Sequence, residues 1–197
     1  MKNRTLIIAG IISIFIYSLS SCGGSSPEER AVKTTGPVRD TSAKRGAYLV
    51  TIMGCNDCHS PRIMGQHGPM WDPERILSGY PSHIPVKVPD IKNLVPGSAV
   101  FDPTGTAVTG PWGMSFAANI TSDGTGIGNW SLRQFKNAFT RGKHKGIDEE
   151  RSLLPPMSWE NYKEVSEEDI KAIFAYLKST KPVRNNVPDP IAPGKVK

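Results

Sequence analysis

The stretch Cys55-Asn-Asp-Cys58-His59 decides how this chain folds, because its spacing suits the covalent attachment of a c-type haem. Two thiols three residues apart can each add to one vinyl group of the same haem. The adjacent imidazole of His59 then lies beneath the iron as its proximal ligand. The chain has one such run, so we expect one haem c, held by Cys55, Cys58 and His59, with the rest of the chain folded around it.

The same residues also suit a zinc half-site, a thioredoxin-like redox pair, or two buried cysteines beside a loop histidine. A structural zinc site needs four ligands, and the other histidines, His67, His83 and His144, stand singly in the sequence. A redox C-x-x-C needs a βαβ context, whereas the flanks here are helical in pattern and rich in Gly and Pro. The residues therefore favour haem attachment.

The N-terminus has the pattern of an export signal. Lys2 and Arg4 precede an apolar run from Leu6 to Leu19, which is shorter than the about 20 residues that a transmembrane helix needs. Leu19-Ser-Ser-Cys22 closes the run and resembles the lipobox of bacterial lipoproteins, in which the cysteine becomes the acylated first residue. This resemblance implies that Cys22 carries lipid, and an ordinary signal peptide that ends near a cysteine is the alternative.

Charge and composition narrow the range of partners. The formal net charge of the chain is +6, and a mildly basic surface can steer docking to an acidic redox partner. The chain has no block of Lys and Arg interleaved with aromatic residues, so we expect no nucleic-acid partner.

Three helices are predicted around the motif. The first runs from about Ser42 to Met53 and ends just before Cys55. The second begins at the capping box Ser131-Leu-Arg-Gln134 and ends at Gly142. The third begins at Ser166, and its apolar positions follow the i, i+3, i+4, i+7 pattern of a helix that faces a core: Ile170, Ile173, Phe174 and Leu177.

A helix before C-x-x-C-H and an amphipathic helix near the C-terminus resemble the class I cytochrome c fold, in which these two helices cross beside the haem. Gly46 and Tyr176 match the contact of a small residue with an aromatic one at that crossing, and an incidental helix glycine is the alternative. The resemblance implies an all-α cytochrome c fold with long Pro/Gly-rich loops around one covalent haem. The longest loop, between Ser60 and Trp112, is expected to wrap the haem or to form a docking surface.

The resemblance also implies a sixth iron ligand. The class I family places a methionine loop between its last two helices, and Met157 lies there, after two prolines. Met114, Met64, Met70 and the three remaining histidines are the alternatives, and a methionine among prolines is otherwise a common gap-filling residue. A Met/His pair fills both axial positions of the iron, which favours electron transfer over haem catalysis.

Two segments, residues 115–131 and 155–159, resemble cytochromes that accept electrons from periplasmic dehydrogenases. Those cytochromes usually read T-P-D and P-P-M-P-W, where this chain reads Thr-Ser-Asp123 and Pro-Pro-Met157-Ser-Trp. The departures replace a proline in each case and keep the methionine.

Together these features divide the chain into four expected segments. Residues 1–21 are a lipoprotein signal peptide. Residues 22–40, rich in Ser, Gly, Pro and charge, are a flexible tether. Residues 41–185 are a cytochrome c domain, and residues 186–197 are a C-terminal tail.

We therefore expect a lipid-anchored monohaem cytochrome on the periplasmic side of a bacterial membrane, which transfers one electron at a time between redox partners. Such a partner is a dehydrogenase, a quinol-oxidising complex or a terminal oxidase. The chain is then an electron carrier and not an enzyme, with an electron-transfer subunit of a dehydrogenase or oxidase complex as the alternative. A haem peroxidase or a gas sensor would need an open position on the iron, which Met157 argues against.

Overall fold

The computed structural model describes residues 42–90 and 95–196. The predicted signal peptide, the tether and Cys22 lie outside these residues. None of the helices in the described ranges is both long enough and apolar enough to cross a membrane.

The described ranges contain four α-helices. They are α1 (Ala43–Ile52), α2 (Cys55–His59), α3 (Leu132–Arg141) and α4 (Glu167–Ser179). Short 3-10 helices follow at His144–Gly146, Trp159–Tyr162 and Pro193–Lys195. The three predicted helices are confirmed as α1, α3 and α4.

The caps of α3 and α4 are those expected from the sequence. The Ser131 hydroxyl accepts a hydrogen bond from the backbone N–H of Gln134, whose side chain accepts one from the backbone N–H of Ser131. Gly142 ends α3 in the left-handed conformation, with φ 65°. At the start of α4, the Ser166 hydroxyl accepts from the backbone N–H of Asp169, at the end where acidic side chains suit the helix dipole.

Helices α1 and α4 cross at Gly46. A Cβ atom at this position would lie 1.9 Å from the carbonyl oxygen of Ala172 and 2.7 Å from the Cβ of Tyr176. The predicted contact between Gly46 and Tyr176 is therefore confirmed. Beside the crossing, the Arg45 guanidinium lies 3.1 Å from the Asp169 carboxylate.

The main core lies between α1, α3 and α4. Phe139 stacks on Tyr162 with ring centroids 4.6 Å apart, and Phe135 packs against both Phe139 and Phe174. The buried members of this main cluster are Leu49, Val50, Leu77, Ile127, Phe135, Phe139, Ile170, Ile173 and Leu177.

The expected all-α fold is wrong, because the stretch after α2 contains β-strands and the domain is mixed α and β. Strands β1 (Arg62–Gly65) and β2 (Gly68–Trp71) form an antiparallel hairpin. Strands β3 (Val100–Phe101), β4 (Ala107–Gly110) and β5 (Gly113–Phe116) form an antiparallel sheet in that order. Strands of two to four residues are too short to give a clear alternating pattern in the sequence.

The three-stranded sheet has its own small core. Tyr80, Ala107 and Met114 form a second buried cluster, against which the C-terminal residues Val187, Ile191 and Val196 pack. The backbones of Met114 and Ile191 exchange two hydrogen bonds of 2.9 Å. The residues after 185 thus lie against the sheet, while the division of the chain into four segments stays a prediction.

Candidate haem site

The C-x-x-C-H motif forms the short helix α2. Gly54 precedes it with a left-handed φ of 67°, which lets the chain reverse between α1 and α2. Residues three apart on a helix share one side, so both thiols lie on the same face of α2. Cys55 and Cys58 are free and half-buried. The helix therefore presents two unpaired thiols on one face, as attachment to a single haem requires.

Their surroundings raise the pKa of both thiols. Burial raises the pKa of the Cys55 thiol to about 11. Burial and the neighbouring Asp57 carboxylate raise the pKa of the Cys58 thiol as well.

His59 is held by both its side chain and its backbone. Its Nδ1 lies 2.7 Å from the carbonyl oxygen of Ala118, so Nδ1–H donates to this carbonyl and Nε2 keeps the lone pair that binds iron. The backbone carbonyl of His59 accepts a hydrogen bond of 2.8 Å from the N–H of Gly79. Burial lowers the pKa of His59, which keeps the imidazole in the neutral form that coordinates a metal.

The long stretch between Ser60 and Trp112 returns to the proximal side of the site before it forms the sheet. The backbone N–H of Leu77 donates to the Ser60 hydroxyl over 2.8 Å, and the Leu77 carbonyl accepts from the N–H of Ile120. Leu77 is fully buried with a positive φ of 61°. The segment around Leu77 thus packs into the main core next to α2.

Met157 is half-buried and packs against the same main cluster as Cys55. Its backbone N–H donates to the carbonyl of Leu154 over 3.3 Å. Folding therefore brings the motif and the predicted methionine, which are far apart in sequence, to one hydrophobic core.

The rival methionines lie elsewhere. Met114 is 2% exposed in the second cluster, on β5. Met64 and Met70 lie on the β1–β2 hairpin and are 78% and 49% exposed. Of the four methionines considered from the sequence, Met157 is the one that packs against the main cluster, as Cys55 does.

The histidines other than His59 also lie apart from the motif's core. His67 and His83 are exposed, and the Nδ1 of His144 lies 3.2 Å from the Glu150 carboxylate. Within the ranges that the structure describes, no group of three or more His, Cys, Asp or Glu side chains is arranged to hold a metal ion, as a structural zinc site would require.

The residues present fit a haem c. Two thiols on one helix face, an imidazole with its tautomer fixed by a carbonyl, and a thioether on the same core are the donors that such a haem uses. Other half-buried apolar side chains pack against the same main cluster as Cys55 and Met157; among them are Ile76, Ile120, Trp130, Leu132 and Tyr162.

Comparison with known proteins identifies the family. The model of the cytochrome c family matches residues 43–181. The chain belongs to the cytochrome c family. It therefore binds haem c covalently and transfers electrons.

Several relatives of this cytochrome are subunits of dehydrogenases. The fructose dehydrogenase cytochrome subunit of Gluconobacter japonicus is 35% identical over 144 residues, which cover 72% of this chain and 22% of that subunit. The gluconate 2-dehydrogenase cytochrome c subunit of Pantoea cypripedii is 30% identical over 139 residues, 70% of this chain and 23% of that subunit. The cytochrome c subunit of the quinone-dependent alcohol dehydrogenase of Gluconobacter oxydans is 33% identical over 89 residues, 43% of this chain and 18% of that subunit. The cytochrome spans less than a quarter of the length of each of these relatives.

Two supports of the site were missed from the sequence. The Ala118 carbonyl holds the His59 imidazole, and the Ser115 hydroxyl donates to the carbonyl of Pro155 over 2.5 Å, next to Met157. Any residue type can supply a backbone carbonyl, so no sequence signal marks Ala118 or Pro155 for this role.

Proposed function

We propose that this cytochrome is a lipid-anchored monohaem protein that accepts single electrons from a dehydrogenase on the periplasmic side of a bacterial membrane and passes them to a membrane acceptor. The observation that carries the proposal is the packing of Met157 and Cys55 on one buried cluster, together with a His59 whose Nε2 is left for iron. This arrangement supports an iron with two protein ligands.

Each residue then has a distinct task. Cys55 and Cys58 would hold the haem covalently, and His59 and Met157 would supply the two protein ligands of its iron. The haem supplies one-electron chemistry between ferrous and ferric iron. Met157 raises the potential relative to a weaker sixth ligand and closes the position that oxygen or peroxide would otherwise occupy.

A dehydrogenase is the favoured electron donor. Relatives that align with more than two thirds of this chain are cytochrome subunits of fructose and gluconate dehydrogenases. This supports a second possibility as well, that the cytochrome is a permanent subunit of a dehydrogenase complex. The two arrangements differ in whether a dehydrogenase copurifies with the cytochrome at a fixed ratio.

The membrane attachment rests on the sequence Leu19-Ser-Ser-Cys22. Acylation at Cys22 would give a lasting anchor, because the two or three acyl chains of a bacterial lipoprotein bind far more tightly than one. A Cys22→Ser variant of the full chain should move from the membrane to the soluble fraction after cell lysis.

The ligand set is tested on the full chain matured with haem, by optical spectra of the reduced and oxidised protein with and without carbon monoxide. We expect a low-spin spectrum with the weak far-red band of an iron–thioether bond, unchanged by carbon monoxide. Met157→Ala should abolish this band and allow carbon monoxide to bind, whereas the exposed Met64→Ala should change neither. Carbon monoxide binding by the unaltered protein would overturn the proposal in favour of a catalytic or sensing haem.

A further inference from the structure

One stretch of chain contacts both His59 and residues 153–159, the methionine loop that carries Met157. The carbonyl of Ala118, just beyond β5, accepts from the His59 imidazole over 2.7 Å. Within β5, the Ser115 hydroxyl lies 2.5 Å from the carbonyl oxygen of Pro155, two residues before Met157. Residues 115–118, at the end of β5 and just beyond it, therefore contact both His59 and the loop that carries Met157.

Ser115 faces the methionine loop because of the alternation of the strand. Successive side chains of a strand point to opposite faces of the sheet, and Met114 points into the second cluster with Tyr80 and Ala107. Ser115 therefore points to the other face, where Pro155 lies, and it is 8% exposed there.

The direction of the Ser115 hydrogen bond follows from its neighbours. The indole Nε1–H of Trp112 donates to the Ser115 hydroxyl over 3.2 Å, so the single hydroxyl proton remains for another acceptor. The Pro155 carbonyl is 2.5 Å away, whereas the Val108 carbonyl is 3.4 Å away. Trp112, Ser115 and Pro155 thus form a short chain of hydrogen bonds in which Ser115 donates to the loop.

The methionine loop has few backbone hydrogen bonds of its own. Pro155 and Pro156 have no N–H group to donate, and both are exposed. The N–H of Met157 makes a bond of 3.3 Å to Leu154 within the same loop. The hydrogen bond from Ser115 to the Pro155 carbonyl therefore connects this loop to the sheet two residues before Met157.

We propose that Ser115 is a positioning residue for Met157: by holding the Pro155 carbonyl it keeps the Met157 thioether on the iron. The inference rests on the proposed ligation by Met157. Because this bond exists only while the loop lies on the sheet, its loss shifts the loop towards the conformation in which Met157 has left the iron. A typical net contribution of one hydrogen bond corresponds to a shift of about fivefold in this equilibrium.

The test is a titration of the ferric, haem-loaded full chain with imidazole, which competes with Met157 for the iron. Ser115→Ala should bind imidazole about fivefold more tightly than the unaltered protein, with a weaker far-red band and a lower reduction potential. Ser115→Thr keeps the hydroxyl and should restore all three values. Thr109→Val is the control, because the buried Thr109 hydroxyl in the same sheet has no hydrogen-bond partner among the described residues, and this variant should leave the three values unchanged.

A second pair of variants covers the case in which Ser115→Ala does not mature. Ser115→Thr and Ser115→Val have the same shape and differ in the hydroxyl, so we expect the Val variant to bind imidazole more tightly than the Thr variant. Equal imidazole affinity and equal potential within this pair would overturn the role of Ser115. If Met157→Ala still lowers the potential, the proposed ligation stands and the positioning role alone fails; if Met157→Ala also has no effect, both fail.

Discussion

The Nδ1 atom of His59 and the carbonyl oxygen of Ala118 lie 2.7 Å apart, although the two residues are 59 positions apart in the sequence. All five strands lie between these residues in sequence. The segment that contains the strands therefore begins just after His59 and ends just before Ala118, whose carbonyl accepts the hydrogen bond from the His59 imidazole. A hydrogen bond at Nδ1 affects the electron density that an imidazole can donate to iron through Nε2.

Gly79 is the residue through which this hydrogen bond can be altered. Its φ is +73°, and an added Cβ would lie 2.3 Å from the Ala117 oxygen and 2.6 Å from the Ala118 oxygen. Gly79→Ala should push the Ala118 carbonyl away from His59, which weakens donation by the imidazole to ferric iron and raises the reduction potential. Redox titration of the haem-loaded protein measures this rise.

Gly97→Ala is the control for the Gly79 variant. It distinguishes the effect of backbone strain from the effect of moving the Ala118 carbonyl. Gly97 also has a positive φ, +87°, but no atom of the described residues lies within 4 Å of its added Cβ. Its alanine variant should lose about 1–2 kcal/mol of stability through strain and keep its potential. Equal potentials in the Gly79 and Gly97 variants would mean that the Ala118 carbonyl does not tune the iron.

The helical part of the fold follows from local sequence signals. Ser131 with Gln134, and Ser166 before three acidic residues, mark the starts of α3 and α4, and Cys55-x-x-Cys58-His59 fixes the haem-binding helix. These features act within one turn of chain, so a single sequence reveals them.

The two small β-sheets could not be predicted, because their formation depends on contacts between residues that are distant in the sequence. Strand β3 has two residues, too few to show an alternating pattern, and it is ordered by pairing with β4. Strand β5 in turn pairs at Met114 with Ile191 of the C-terminal segment. The supports of the site are of the same kind: Ala118 and Pro155 act through backbone oxygens, and Ser115 looks like any strand serine.

The crossing of α1 and α4 depends on the missing side chain of Gly46. An added Cβ would lie 1.9 Å from the Ala172 oxygen, and this clash outweighs the about 0.5–1 kcal/mol that alanine gains over glycine inside a helix. Gly46→Ala should lower the free energy of unfolding by about 2–3 kcal/mol, measured by denaturant titration of the haem-loaded protein. Gly194→Ala, with no atom of the described residues within 4 Å of its added Cβ, should stay within about 0.5 kcal/mol; a similar loss in both variants would contradict a clash at the crossing.

Two thioether bonds are expected at α2, because both thiols are free and lie on one face of the helix. After extraction with acidified organic solvent, Cys55→Ala and Cys58→Ala should each keep the mass of the chain plus haem through the remaining bond. The double variant should show the mass of the chain alone, and Cys22→Ser, the control, should keep the haem. Haem retained by the double variant would show that attachment does not use these thiols.

Asn185 is buried and its neighbour Asn186 is exposed. The two residues therefore give a matched test of the hydrogen bonds that Asn185 makes on either side of Gly79. Asn185 is 1% exposed, donates through Nδ2 to the carbonyls of Ser78 and Tyr80 over 2.6 and 2.8 Å, and accepts from the Ser82 N–H over 2.9 Å. Asn186 is exposed.

Since Asn185 binds on both sides of Gly79, it also supports the N–H that donates to the His59 carbonyl. Asn185→Ala removes the partner of two buried carbonyls, those of Ser78 and Tyr80, and of the Ser82 N–H. It should cost about 2–4 kcal/mol of unfolding free energy, whereas Asn186→Ala should cost less than about 0.5 kcal/mol. Denaturant titrations of both variants, followed through the haem absorbance and the far-UV circular dichroism, measure this difference. If these hydrogen bonds hold the proximal side in place, the Asn185 variant changes its haem absorbance at a lower denaturant concentration than its helical signal; coincident transitions would mean that Asn185 stabilises the fold as a whole and has no local effect on His59.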